Sequence, residues 1–231
     1  KNMTQSFSPR LNILPPPQRR LWLELAEVPP EFVLYGGTAI ALYLGHRPSV
    51  DFDFFGNRDF DPDQLISAIP FLADGQVIQK ARNTLTSLVD RRGPVQVSFF
   101  GVPGLPRLFD PVRVSDNGIL IASLIDLAGT KVSVVQKRAE AKDYIDIDAL
   151  ITAGAVDLPT ALAAGKAIYG RLFNPQITLK ALSYFEDGDL KRIPDAMKDR
   201  LVRAARAVDL DRLPILNGDG QQTGHGTERE Q

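Results

Sequence analysis

Carboxylate and aromatic side chains alternate through Val50-Asp51-Phe52-Asp53-Phe54-Phe55. A period of two predicts a strand with both aspartates on one face and Phe52 and Phe54 on the other. Aspartate is a poor strand former, so the pair points to a divalent cation rather than to backbone preference. Upstream, Phe32-Val33-Leu34-Tyr35 reads as a first strand, Gly36-Gly37 as a turn, and Thr38 to Leu44 as a helix stopped by Gly45. A short helix carrying Leu21, Leu23, Leu25 and Ala26 comes before, ended by Pro29-Pro30. Asp61-Pro62-Asp63 opens a helix through Ile69, with aspartate as cap and proline in the first turn. Extended stretches are predicted at Val77 to Gln79, Thr84 to Val89 and Val95 to Phe100, the last two joined as a hairpin through Asp90-Arg91-Arg92-Gly93-Pro94.

After Val112 the pattern becomes helical. Ser123 caps a helix running past Lys131 to about Arg138, a second starts near Ala141, and others are expected over 158–169, 175–186 and 194–207, with Gly154, Gly170 and Gly188 as stops. These patterns divide the chain into a loose segment over 1–14, an α/β core over 15–114, a helical domain over 115–213, and a flexible tail over 214–231, rich in Gly, Gln and charge.

At 231 residues and 44% hydrophobic content, the chain can bury a substantial core. Lys+Arg 27 against Asp+Glu 28 implies no attraction of the whole molecule to nucleic acid or membrane, so any basic patch is local. The absence of cysteine excludes disulfides, thiolate nucleophiles and sulfur-ligated zinc; with only His46 and His225, histidine-rich metal sites go as well. No apolar run approaches the ~20 residues of a membrane span, and the polar start lacks a secretory core, so a cytoplasmic location is expected.

Glycines between a strand and a helix let a ligand approach the backbone, and the helix N-terminus supplies free amides and a positive dipole end. Gly36 and Gly37 therefore fit a phosphate seat, with Thr38 able to cap the helix or bind a phosphate oxygen. A bare glycine pair is equally an ordinary tight turn, and a lone Asp-x-Asp is common on surface strands. Together they form a triphosphate cradle beside carboxylates suited to Mg²⁺. Downstream, Lys131 and Arg138 are seven residues apart and share a helix face, as do Asp143 and Asp146, three apart. Both pairs fit a cleft; a solvated face with a Lys142–Asp146 ion pair is the plainer alternative.

The stretches Gly36-Gly37-Thr38-Ala39-Ile40-Ala41-Leu42 and Arg47-Pro48-Ser49-Val50-Asp51-Phe52-Asp53, with Lys131 and Lys142-Asp143-Tyr144-Ile145-Asp146, resemble the motifs of the AbiEii/AbiGii nucleotidyltransferase toxins of the polymerase-beta-like superfamily. The resemblance implies an α+β fold, a nucleotidyltransferase-like mixed β-sheet with flanking helices followed by a helical C-terminal domain. It further implies Gly36, Gly37, Thr38, Arg47, Ser49 and Lys131 at the nucleotide, Asp51 and Asp53 on Mg²⁺, and Asp143 completing a catalytic set with them. The sequence departs from the superfamily at Ser98, where a later strand often supplies a third acid.

A basic stretch, Lys191, Arg192, Lys198, Arg200, Arg203 and Arg206, fits either an RNA backbone or a solvated helix face. His46 reads as a solvated loop residue, and Arg91 and Arg92 as an exposed hairpin tip. The expected activity is Mg²⁺-dependent transfer of NMP from an NTP to an acceptor hydroxyl. By resemblance the acceptor is RNA, such as a tRNA 3′ end, and the protein is the toxin of a toxin–antitoxin or phage-defence system with a cognate antitoxin. Alternatives are a small-molecule nucleotidyltransferase and a nucleotide-binding protein impaired in catalysis.

Overall fold

The computed structural model describes residues 6–216. Among them, β1 (Ser6–Phe7), β2 (Val33–Tyr35), β3 (Phe52–Gly56), β4 (Gln76–Ala81), β5 (Thr84–Asp90), β6 (Pro94–Gly101), β7 (Val112–Val114) and β8 (Leu120–Ile121) form one sheet. Its order is β1-β7-β8-β2-β3-β6-β5-β4. Strand β3 runs antiparallel to β2 and parallel to β6, which brings Tyr35 and Ser98 to either side of Asp53. The β5–β6 hairpin turns at the predicted residues, pairing Asp90 with Pro94.

Alternation fixes what each face of β3 meets. Phe52 and Phe54 are fully buried, and Phe54 stacks on Phe99 at 5.3 Å. Asp53 and Phe55 lie on the other, partly exposed face. Edge strand β4 is exposed throughout.

The helices are α1 (Pro16–Leu21), α2 (Gly36–Leu44), α3 (Pro62–Ala68), α4 (Pro70–Ala73), α5 (Leu124–Val134), α6 (Ala141–Thr152), α7 (Leu158–Tyr169), α8 (Pro175–Ala181) and α9 (Asp195–Ala207). The expected caps form: Asp61 accepts from Asp63 N, Ser123 accepts from Asp126 N at 3.0 Å, and Gly45 ends α2 in the left-handed conformation. Helix α5 stops at Val134 and α8 at Ala181, each several residues short of its predicted end.

Two of the expected boundaries differ from the structure. From Ser6 the N-terminal segment is tied down rather than loose: Ser6 and Phe7 pair with β7, Phe7 stacks on Tyr43 at 4.4 Å, and Ile13 and Leu14 are buried. The sheet also continues beyond residue 114, because β8 lies between β7 and β2. One hydrophobic core then runs from Ile13 through the strands to Leu201 and Ala205 of α9, so the helices share their interior with the sheet. Helix α2 sits at the centre of this packing, against α5 and α6. The expected tail lies, from residue 217 onward, outside the described residues.

Candidate active site

The glycine turn and the acid strand meet directly. Gly36 takes φ +78°, a backbone region that disfavours side chains, and a β-carbon there would stand 3.3 Å from Asp53 Oδ2. The N-terminus of α2 therefore opens over the Asp53 carboxylate. Thr38 locks the two segments: its hydroxyl lies 2.7 Å from Ser49 Oγ and donates to the Asp51 carbonyl. Both hydroxyls, expected at the nucleotide, are buried in this contact.

Asp51 and Asp53 are partly exposed, and neither has a cationic partner within 4.0 Å among the described residues. The Asp53 carboxyl is pushed upward, first by burial and then by the charge of Asp51; hydrogen bonding from Ser98 and the charges of Lys142 and Lys131 oppose this. Two neighbouring carboxylates without a cationic partner among the described residues suit a hard divalent ion whose remaining ligands are phosphate oxygens and water. Among the described residues no group of three or more His, Cys, Asp or Glu is arranged to hold a metal. Ser98, where a third acid was expected, is buried and accepts a hydrogen bond from Thr86 Oγ1 at 3.2 Å.

Asp143 is fully buried within a network of cations instead. Its Oδ1 accepts from Lys131 Nζ at 2.8 Å and from Arg138 Nη2 at 3.1 Å, while Arg138 Nε donates to Oδ2 at 2.8 Å. Lys131 also lies 3.0 Å from Asp146 Oδ2. Asp146 receives a two-pronged contact from Arg47, at 2.7 and 2.9 Å, and His46 Nε2 at 2.6 Å. His46 is thus no solvated loop residue: its side chain is only 12% exposed, drawn in by a carboxylate on a helix remote in sequence.

Burial alone would raise Asp146. Hydrogen bonds from His46 and Arg47, with the charges of Lys131 and Arg47, outweigh it and hold the carboxyl far below its ordinary value. Burial likewise opposes, and Arg138 and Lys131 reverse, the shift of Asp143, which is lowered. Arg47, Lys131, Arg138 and Lys142 bring four cationic side chains to three carboxylates, Asp143, Asp146 and Glu140, beside Asp51 and Asp53. A β-carbon at Gly37 would overlap the Arg47 guanidinium.

Lys142 pairs with Glu140 at 3.0 Å and not with Asp146, and its charge reaches Asp53, as does that of Arg138. Lys142 thus joins the site as a residue without an expected role there, its one signal in the sequence being its place beside Asp143. The basic stretch is mostly occupied: Arg200 forks onto Asp148 at 2.9 and 2.8 Å, Lys198 pairs with Asp195, Arg192 with Asp189 and Lys191 with Glu186. Arg203 and Arg206 are exposed without an acidic partner among the described residues. Arg91 is held by Glu24 at 2.6 Å, so it is not a free hairpin tip.

A helix N-terminus thus stands over a carboxylate pair on a mixed sheet, and this architecture is shared with a solved nucleotidyltransferase structure. The chain superimposes on MenT4, a nucleotidyltransferase toxin from Mycobacterium tuberculosis H37Rv, with a TM-score of 0.53 and 14% identity, covering 83% of this chain and 82% of the other. It also matches a putative nucleotidyltransferase from H. pylori, with a TM-score of 0.49 and 20% identity over 82% of this chain and 90% of that one. The family model "Nucleotidyl transferase AbiEii toxin, Type IV TA system" matches residues 20–214, and the chain belongs to this family of nucleotidyltransferases. An uncharacterized protein of Aquifex aeolicus (strain VF5) is 34% identical over 159 residues, 68% of this chain and 75% of the relative. No helix among the described residues is long and apolar enough to cross a membrane.

Proposed function

We propose that this chain transfers NMP from an NTP to an acceptor hydroxyl on RNA, with tRNA 3′ ends as the first candidates, and acts as a toxin neutralised by a cognate antitoxin. The observation that carries the reading is the closeness of Gly36 to Asp53, which sets helix-terminal amides against a carboxylate pair without a cationic partner among the described residues. Asp51 and Asp53 would hold Mg²⁺, which when bound supplies charge neutralisation for the phosphates. Backbone amides of Gly36 and Gly37 would face the triphosphate, with Lys142, Arg138 and Lys131 drawing it in. The acceptor oxygen attacks the α-phosphorus in line, the bond to the bridging oxygen breaks, pyrophosphate leaves, and the hydroxyl proton is lost to solvent. Arg47 and Asp146 serve by position, clamping the acid-strand loop onto α6, and Asp143 holds Lys131 and Arg138 in place beside the site.

The test is transfer of labelled NTP to total RNA with Mg²⁺, run with each of the four nucleotides and compared with Asp53→Ala. Transfer by wild type alone supports the reading. No wild-type transfer despite measurable NTP binding would overturn it in favour of a nucleotide-binding protein, the reading that Ser98 favours by leaving the acids at two. The use of Arg200 and Lys198 in ion pairs favours a small-molecule acceptor, and transfer to small hydroxyl compounds but not to RNA would select it.

A further inference from the structure

Beyond the acid row, the same sheet face is aromatic. Register puts Tyr35, Asp53 and Ser98 side by side on β2, β3 and β6. Two residues further along β3 and β6, Phe55 stands opposite Phe100 with ring centroids 5.0 Å apart, and Tyr35 meets Phe55 edge-on at 5.4 Å. Phe55 and Phe100 are partly exposed, whereas Phe54 and Phe99 on the opposite face are fully buried. A phenylalanine pair left open beside charged groups is unusual for a face that already has a buried core behind it.

A cation flanks the aromatic pair. Arg107 Nη2 reaches the Phe55 carbonyl at 3.3 Å and the Glu31 carbonyl at 3.4 Å, and its charge acts on the Tyr35 hydroxyl. Its Nε is buried without a hydrogen-bond partner, and no carboxylate pairs with it among the described residues. A buried donor left open costs free energy unless a ligand completes it.

The spacing is informative. Two residues of strand cover ~6.6 Å, of the order of the separation between a nucleotide's α-phosphorus and its base. Apolar rings, a flanking guanidinium and an adjoining phosphate seat together match a base better than an aliphatic ligand, because every base has a π-face and polar edges. We infer that Phe55 and Phe100, flanked by Tyr35 and Arg107, form the seat of a nucleobase, joined to the Asp51–Asp53 site by the span of one ribose. The inference rests on the nucleotide reading above. The base belongs either to the NTP or to the acceptor strand, and the two sources are separable by experiment.

Binding of Mg²⁺·NTP, Mg²⁺·tripolyphosphate and a short single-stranded oligoribonucleotide is measured for wild type, Phe55→Leu and Phe100→Leu. Leucine keeps apolar bulk but removes the π-face. If the NTP base occupies the seat, both variants lose about 5- to 100-fold in NTP affinity while tripolyphosphate binding is unchanged. If the acceptor's base occupies it, oligonucleotide affinity falls instead. Unchanged affinity for both nucleotide ligands overturns the inference. If wild type fails to bind tripolyphosphate or NTP, the phosphate-seat reading falls alone, and the oligonucleotide arm still decides the stacking seat. Should either variant fold poorly, 2-aminopurine nucleotide and a 2-aminopurine oligonucleotide are titrated with wild-type protein: quenched emission from either supports stacking, and unchanged emission from both excludes it.

Discussion

Arg47 grips Asp146 with two nitrogens, Nε at 2.7 Å and Nη2 at 2.9 Å, across 99 residues of sequence. Both groups are shielded, so removing one leaves the other charged and uncompensated. Asp146→Asn is expected to destabilise the fold by about 3–5 kcal/mol in urea unfolding. A loss under 1 kcal/mol would show that the pair is not needed to hold the loop.

The same group sets the acid limit of stability. Asp146 and Asp143 have depressed carboxyls in the folded state. Their contribution is therefore full above the ordinary carboxylate value, near pH 4, and is lost as pH falls below it, because the unfolded chain takes up the protons first. Stability measured between pH 5 and 2 should fall steeply in wild type and less steeply in Asp146→Asn. Parallel slopes would contradict the assignment.

Asp53 has the opposite sign. Its raised carboxyl means that ionisation near neutral pH works against burial and against Asp51, and the cost is relieved as pH falls through the folded value. Without metal, Asp53→Asn should melt higher than wild type, by about 2–4 °C for each kcal/mol of repulsion removed. Mg²⁺ should raise the melting temperature of wild type but not of the variant, and chelation should return wild type to its starting point. Equal Mg²⁺ responses would exclude Asp53 as a ligand.

Ser98 faces the acid pair, with Thr86 behind it. Ser98→Asp adds a third like charge, so the metal-free variant should melt below wild type, while its melting temperature should rise more with Mg²⁺ or Mn²⁺. A variant that melts lower and gains nothing from metal would show that this position lies outside coordination reach.

Arg203 and Arg206 separate RNA contact from structure. Arg203→Glu with Arg206→Glu should weaken RNA as acceptor and flatten its loss with salt, because fewer counterions are released, while leaving melting temperature within a degree or two. Arg200→Glu should lower stability, because Arg200 is committed to Asp148. Unaltered transfer to RNA in the double variant would remove α9 from the RNA path.

Local chemistry was legible in the sequence wherever a short-range rule governed it. The Asp-Phe alternation, the 90–94 turn, the Ser123 and Asp61 caps and the Gly45 and Gly170 stops all depend on neighbours within four residues, whereas Gly188 stops no helix, since α8 already ends at Ala181. The glycine turn and acid strand are joined in the sequence by complementary chemistry rather than by a local rule, and in the fold Gly36 meets Asp53. What escaped depends on distant partners. His46 looks like a loop residue until α6 brings Asp146 to it from 100 residues away. The two-residue strand Ser6–Phe7 has too little pattern to detect and exists through pairing with β7. Asp143 lies in the motif as expected, but only the fold reveals that Lys131 and Arg138 already occupy its oxygens.

The adjacent glycines answer to different neighbours: Gly36 to its own backbone conformation, Gly37 to a guanidinium brought in from the next loop. Position 37 is thereby coupled to positions 47 and 146, because a β-carbon there would also stand 3.1 Å from Asp146 Oδ2. A deep mutational scan would report Gly37 as intolerant for reasons of crowding, and the same scan in an Arg47→Ala background should find alanine better tolerated there, with the Asp146 carboxylate as the remaining close neighbour.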